Sequence, residues 1–289
     1  MTQQPGIFAL GSRSHQHLYF TVTDEGGIRD ALTSMFGSVT SVRGVNVVVG
    51  LRPDLARRLD PEIVSSGLGD FEAMNANGVS LPAEQYDLWV WMHGSSIDGL
   101  FDASRALVSE LAPHASLASE QPAFTYLDSR DMSGFEDGTE NPPIHEAIDL
   151  FSSDDSMLAP VVLVQRWVHD LSTLEHLSSH ELEAVIGRTL VESEELEPPQ
   201  LVDRSHISRV VIEDDDGEEL EMFRRSTPFG NLEEHGLMFV GFAPDHDRTL
   251  QMLENMIGLE DGVTDHVTDF STCTGSGWYV VPAVETLLA

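Results

Sequence analysis

The sequence predicts an α+β protein made of two successive ferredoxin-like units, each with the order βαββαβ. Short apolar runs of strand type alternate with segments of helical period, the same order of elements is passed through twice, and a polar, proline-containing stretch separates the two passes. A chain of 289 residues, 41% of them hydrophobic, is long enough for two such units and apolar enough to bury a core.

The first unit opens on the strand-like run His17–Val22, after which Thr23 and Asp24 supply capping oxygens for a helix over 25–36. Val45–Val49 and Asp87–Met92 read as strands. Ser95 or Ser96 caps the next helix, which carries Leu100, Phe101, Leu107 and Leu111 at helical spacing. The boundary falls near 143–158, where Pro142-Pro143 and Ser152-Ser153-Asp154-Asp155 interrupt the apolar pattern, dividing the chain into units 1–145 and 146–289.

The second unit repeats the order. Val161–Val168 is a strand, a helix runs from Ser172 to Gly187, and a hairpin over 206–213 and 219–225 turns at Asp216-Gly217. Leu237–Phe242 is the next strand, Asp245 starts a helix that Gly258 ends, and Trp278–Val281 closes the unit. The charged segment ESEELEPPQ, 192–200, reads as a solvated loop. Trp89, Trp91, Trp167, Trp278 and Tyr279 all lie in strand-like runs, which suits packing in the core.

Charge excludes some partners. Fifteen basic residues, all arginine, stand against 49 acidic ones, a formal net charge of −34. Such a surface repels nucleic acid and anionic membranes, and it makes each arginine of interest. The single cysteine, Cys273, allows no intrachain disulfide. The N-terminal stretch has neither a basic segment nor a long apolar run, so no leader or membrane span is expected and the cytoplasm is the expected location. The last strand-like run lies close to the C-terminal residue, so no docking tail is expected.

Among twelve histidines, His176 and His180 have the i, i+4 spacing of a helical metal pair, but HLSSH lacks the acid of the zinc-protease motif and a solvated helix face is the simpler reading. His15 and His17 share one face of a strand. His206 opens the expected hairpin. In its returning strand, alternation puts Leu220, Met222 and Arg224 on one face and Glu221, Phe223 and Arg225 on the other, so Arg224 points inward with apolar neighbours. An inward arginine needs an anion, either a structural carboxylate or a ligand. The stretch GFEDGTENP, Gly134–Pro142, is a turn by its glycines and its Asp-Gly step, stiffened at the exit by Pro142-Pro143.

GFEDGTENP, followed by SHISRV and then RRSTPFG, resembles the dye-decolorizing peroxidases, and QRWVHDL, VIGRT and DGVTDHV extend the resemblance over most of the chain. The compact form of that family without a leader is the most similar. The resemblance implies paired ferredoxin-like domains with facing antiparallel sheets, of the dimeric α+β barrel type, and one haem b per chain held in the C-terminal half. It implies that His206 is the proximal ligand of the haem iron, that Asp137 is the distal aspartate and Arg224 the distal arginine, and that Ser226 hydrogen-bonds water or peroxide. Arg188 would meet a propionate, backbone at Gly138 and Thr139 would approach one, and Asp265 would accept the other ring N–H of His206. Glu136 and Glu140 are expected to face solvent. The implied activity is oxidation of aromatic donors such as dyes and phenols by hydrogen peroxide, in a chain free to form a homo-oligomer. A haem-binding or haem-iron-handling protein with incidental peroxidase activity would need His206 and the pocket but little from Asp137 and Arg224. A ferredoxin-like domain binding some other ligand would need none of them.

Overall fold

The computed structural model describes residues 2–38, 44–127, 129–151, 158–214 and 216–287, so Ser152–Asp155 of the expected boundary lies outside the described residues. The strands are β1 (Ser14–Val22), β2 (Val45–Leu51), β3 (Met74–Ala76), β4 (Val79–Leu81), β5 (Leu88–Gly94), β6 (Ala115–Phe124), β7 (Val161–His169), β8 (Phe223–Arg224), β9 (Thr227–Gly230), β10 (His235–Ala243) and β11 (Ser271–Val280). The helices are α1 (Glu25–Ser38), α2 (Pro53–Leu59), α3 (Ile97–Leu111), α4 (Ile144–Leu150), α5 (Leu171–Leu174), α6 (Ser179–Ile186), α7 (His206–Val210), α8 (Asp247–Met256) and α9 (Val284–Leu287). None of the described helices is long and apolar enough to cross a membrane.

One sheet runs β6-β1-β5-β2-β11-β7-β10-β8, with β9 also on β10, and β3 and β4 form a separate hairpin. The first half supplies four consecutive strands and the second half the rest. Within the main sheet the halves are joined at Leu51–Val280, and beside it Ala83 bridges Ser276. The sheet curls so that its two ends face each other: Phe242 of β10 lies 6.4 Å from both Trp89 and Trp91 of β5, ring to ring. Period-two alternation builds this core, because Met238, Val240 and Phe242 share one face of β10 and all are buried there. The outer faces are covered by helices, through Leu100, Leu107 and Leu111 of α3 and Met252, Leu253 and Met256 of α8. Trp89, Trp91, Trp167, Trp278 and Tyr279 are all buried, as their strand positions predict.

Several expectations are corrected. The helix expected over 172–187 is broken into α5 and α6, because Ser178 and Glu181 form a capping box that starts a new helix. His176 falls in the break and His180 in α6, so the two do not share a helix face. The expected hairpin does not form either. His206 begins α7, and only an isolated Glu213–Glu219 bridge remains between the two runs. β6 has no strand signal of its own. Polar and containing Pro122, it is held as an edge strand by its ladder with β1.

His15 and His17 are buried acceptors. The Trp91 indole N–H donates to His15 Nδ1 at 3.3 Å, and that of Trp89 to His17 Nδ1 at 3.2 Å. Burial, with Arg225 nearby, lowers His15 from 6.5 to about 4; burial also lowers His17 and His93 to about 3. The unfolded chain therefore takes up protons near pH 6.5 that the folded chain refuses. Stability is lost as pH falls from that value toward about 4, by on the order of 3 kcal/mol for one such group. In urea unfolding, the wild-type midpoint is expected to fall further than that of His17→Gln between about pH 7.5 and about pH 5. Parallel curves would show that His17 is not the group that refuses the proton.

Candidate active site

The helix-covered face of the second half contains a cavity. Alternation turns Gln165, Trp167 and His169 of β7 and Leu237 and Phe239 of β10 toward it, and Met252 and Met256 of α8 add to an apolar wall. Asp137, Gly138 and Thr139 line the same cavity together with Arg188, His206 and Arg224, which lie far from them in sequence. Asp265 stands behind His206, and Ser226 lies outside the lining.

His206 is the first residue of α7, after Ser205. The Ser205 hydroxyl donates to the Ala184 carbonyl at 2.7 Å and accepts from Val202 N–H at 3.2 Å. One turn on, Arg209 donates to the Asn255 carbonyl near the C-terminal end of α8 and pairs with Asp261 at 2.8 Å. The alternation of buried Ile207 and Arg209 resembles a strand, but this packing against α8 makes the segment a helix. His206 Nδ1 is 2.6 Å from Asp265 Oδ2, and the other oxygen of that fully buried carboxylate accepts Val267 N–H at 2.8 Å. With Nδ1 engaged, Nε2 is the ring nitrogen with no partner among the described residues. Among the described residues no cluster of three or more His, Cys, Asp or Glu could hold a bare metal ion. A single imidazole beside an apolar wall suits instead an iron that brings its other ligands in a macrocycle.

Gly134 and Gly138 flank the loop with φ of +95° and +78°, in the left-handed region where a side chain is strained. A Cβ at 138 would also lie 2.7 Å from the Asn141 amide. That amide matters. Asn141 Nδ2 donates to the Arg224 carbonyl at 2.7 Å, and Arg224 N–H donates to Asn141 Oδ1 at 2.8 Å. The loop carrying Asp137 is thus tied to the strand carrying Arg224, a role that nothing in the sequence pattern assigned to Asn141. Neither the Asp137 carboxylate nor the Arg224 guanidinium has a hydrogen-bond or ion-pair partner among the described residues. Arg225, turned to the other face, lies 5.1 Å over the Trp91 ring and donates to the carbonyls of Ile7 and Ala9. Burial lowers it to about 10.

Arg188 lines the cavity but is already engaged. It pairs with Glu140 at 2.8 Å and with Glu195, so Glu140 and one acid of the charged segment 192–200 are more than solvated side chains. Glu136 is exposed as expected. Ser226 Oγ is buried without a partner among the described residues.

A family model for the C-terminal part of Dyp-type peroxidases matches residues 128–286. The dye-decolorizing peroxidase of Brevibacterium linens is 34% identical over 276 residues, covering 91% of this chain and 75% of that protein. That of Mycobacterium tuberculosis is 33% identical over 276 residues, covering 91% and 82%. Among solved structures, DyPB from Rhodococcus jostii RHA1 superposes with a TM-score of 0.92 at 31% identity, covering 99% of this chain and 97% of that one. A variant of the same protein in complex with heme has a TM-score of 0.90 at 30% identity over 97% and 96%. The family match begins where the Asp137 loop begins and runs through His206, Arg224 and Asp265, and on it this haem-dependent peroxidase belongs to the dye-decolorizing peroxidase family.

Proposed function

We propose that this chain holds haem b, one per chain, through His206 Nε2, and that Asp137 and Arg224 act on hydrogen peroxide so that aromatic donors such as dyes and phenols are oxidised. The observation that carries the reading is the Asp265–His206 pair on a cavity shared with a carboxylate and a guanidinium that have no partner among the described residues. Haem b, when bound, supplies the iron at which peroxide is reduced and the electrons of the donor are collected. Asp265 accepts the Nδ1–H of His206, fixing its tautomer and making Nε2 the stronger ligand. Asp137 takes the proton from one peroxide oxygen and returns it to the other, directly or through water. Arg224 holds a fixed positive charge beside the separating oxygens. Ser226, two residues on from Arg224 and outside the cavity lining, would offer its hydroxyl to a water beside that strand, since Oγ has no partner among the described residues. Arg188 would hold a haem propionate in place of one of its carboxylate partners, and the backbone of Gly138 and Thr139 would help to hold it. The cytoplasm suits a chain whose single cysteine is buried and unpaired.

In the haem-loaded protein, a single equivalent of peroxide is expected to shift the Soret band, and an aromatic donor to restore it. With a net charge of −34, a cationic donor should restore it faster than an anionic one at low ionic strength, and salt should narrow the gap. A Soret band that does not respond to peroxide removes the reading. Equal salt dependence for both donors removes only the electrostatic preference.

A further inference from the structure

We propose that His169 is a positioning residue for the peroxide chemistry: clasped between Ser271 and Asp131, it fastens the loop that carries Asp137 to the sheet. The inference rests on the reading of Asp137 given above.

His169 is the last residue of β7, and Ser271, the first of β11, is its direct partner across the ladder. Side chains of directly opposed residues start close together on one face, here the cavity face. Ser271 Oγ lies 2.6 Å from His169 Nδ1, and His169 Nε2 lies 3.2 Å from Asp131 Oδ1. The arrangement is directional. With the serine hydroxyl donating to Nδ1, the proton of the ring sits on Nε2 and is donated to the carboxylate.

Asp131 is the junction. Its second oxygen accepts Ser133 N–H at 3.0 Å, its N–H donates to the Phe135 carbonyl at 2.8 Å, and its carbonyl accepts Gly134 N–H at 2.9 Å. One residue therefore closes the turn that delivers Asp137, and its link to the sheet is an imidazole. Burial alone would raise the Asp131 carboxyl, but His169 and Ser133 more than offset it and hold the group below its ordinary value. The link is a charge-assisted hydrogen bond in a buried setting. The His169 side chain is only 4% exposed, and the Phe270 ring meets it edge-on at 6.2 Å. Without the imidazole, the carboxylate would be left short of a donor, and the turn would move toward water to find one. A displacement of about 1 Å at a reacting group can cost roughly 100-fold in rate.

The test uses the haem-loaded protein and two readouts: the rate of the Soret change on mixing with peroxide, and hydrogen exchange of backbone amides. His169→Ala is expected to slow the peroxide reaction by roughly 10–100-fold with haem content unchanged. It should also speed exchange at Gly134 and Asp137 while the β7–β11 ladder keeps its protection. His169→Gln places an amide N–H near the position of Nε2 and should recover most of both readouts. In an Asp137→Asn background, His169→Ala should add little. If His169→Ala fails to fold, Ser271→Ala carries the test, with a smaller loss expected in both readouts. The proposal is overturned by equal losses for Ala and Gln, by losses that add to those of Asp137→Asn, by release of haem, by loss of protection through the whole ladder, or by a silent Ser271→Ala. If Asp137→Asn leaves the peroxide rate unchanged, the reading of Asp137 is wrong, while the exchange readout still decides the clasp.

Discussion

His206→Ala is expected to leave a folded chain that no longer carries haem with a normal Soret band. His206 is the first residue of a short helix, where alanine is well tolerated, and its side chain is 29% exposed in the absence of a bound group. The substitution takes one partner from the buried Asp265 carboxylate, a cost of about 1–3 kcal/mol, but leaves it the Val267 N–H. That is a fraction of the stability of a typical domain. The loss of affinity should be far larger. Removing a group that merely supports a metal ligand costs roughly 10–100-fold, and here the ligand itself is removed. Haem titration followed by absorbance, with circular dichroism to confirm the fold, measures both. A variant that binds haem with the parent spectrum would mean that the iron is held elsewhere.

Arg224→Leu should slow the reaction with peroxide at every pH, whereas Asp137→Asn should slow it most in acid and recover toward alkaline pH. A guanidinium keeps its charge throughout the range in which the protein is folded, so its electrostatic help is always on. Losing one preorganised donor of this kind costs roughly 10²–10³ in rate. A proton carrier contributes about 10²–10⁴, but its task lapses as more of the peroxide arrives already deprotonated. Stopped-flow mixing across pH separates the two profiles. Parent rates in Arg224→Leu with an Asp137→Asn variant dead at all pH would assign the chemistry to the aspartate alone. Parent rates in both would remove the distal assignment.

The long apolar strands and the amphipathic helices were legible, because each has a period that only one secondary structure satisfies. Thus Val161–Val168 and Leu237–Phe242 are β7 and β10 within a residue or two, and Ser96 does cap α3 by accepting Gly99 N–H. His206–Val210 was not legible as a helix, since five residues with two buried at i and i+2 satisfy either period. What decides it is Arg209 reaching the end of α8, a contact between distant segments. β6 failed for the same reason, since its strand character comes from β1 alongside. Motifs singled out Asp137, Arg188, His206 and Arg224, which line one cavity in the structure. Their supports were not legible, because Asn141, Asp131 and Glu195 act through partners on other elements and carry no local signature.

The ties of the Asp137 loop bear on how the protein divides. Arg130 donates to the Gly134 and Leu190 carbonyls, Asp131 meets His169, Glu140 meets Arg188, and Asn141 meets Arg224. The loop precedes residue 145 in the chain, yet its side-chain anchors are in the second half. The two halves also meet elsewhere, at Leu51–Val280, at the Ala83–Ser276 bridge and where Phe242 packs on Trp89 and Trp91. The loop is thus fastened to second-half elements, and its position follows β7, β8 and the segment around Arg188 and Leu190.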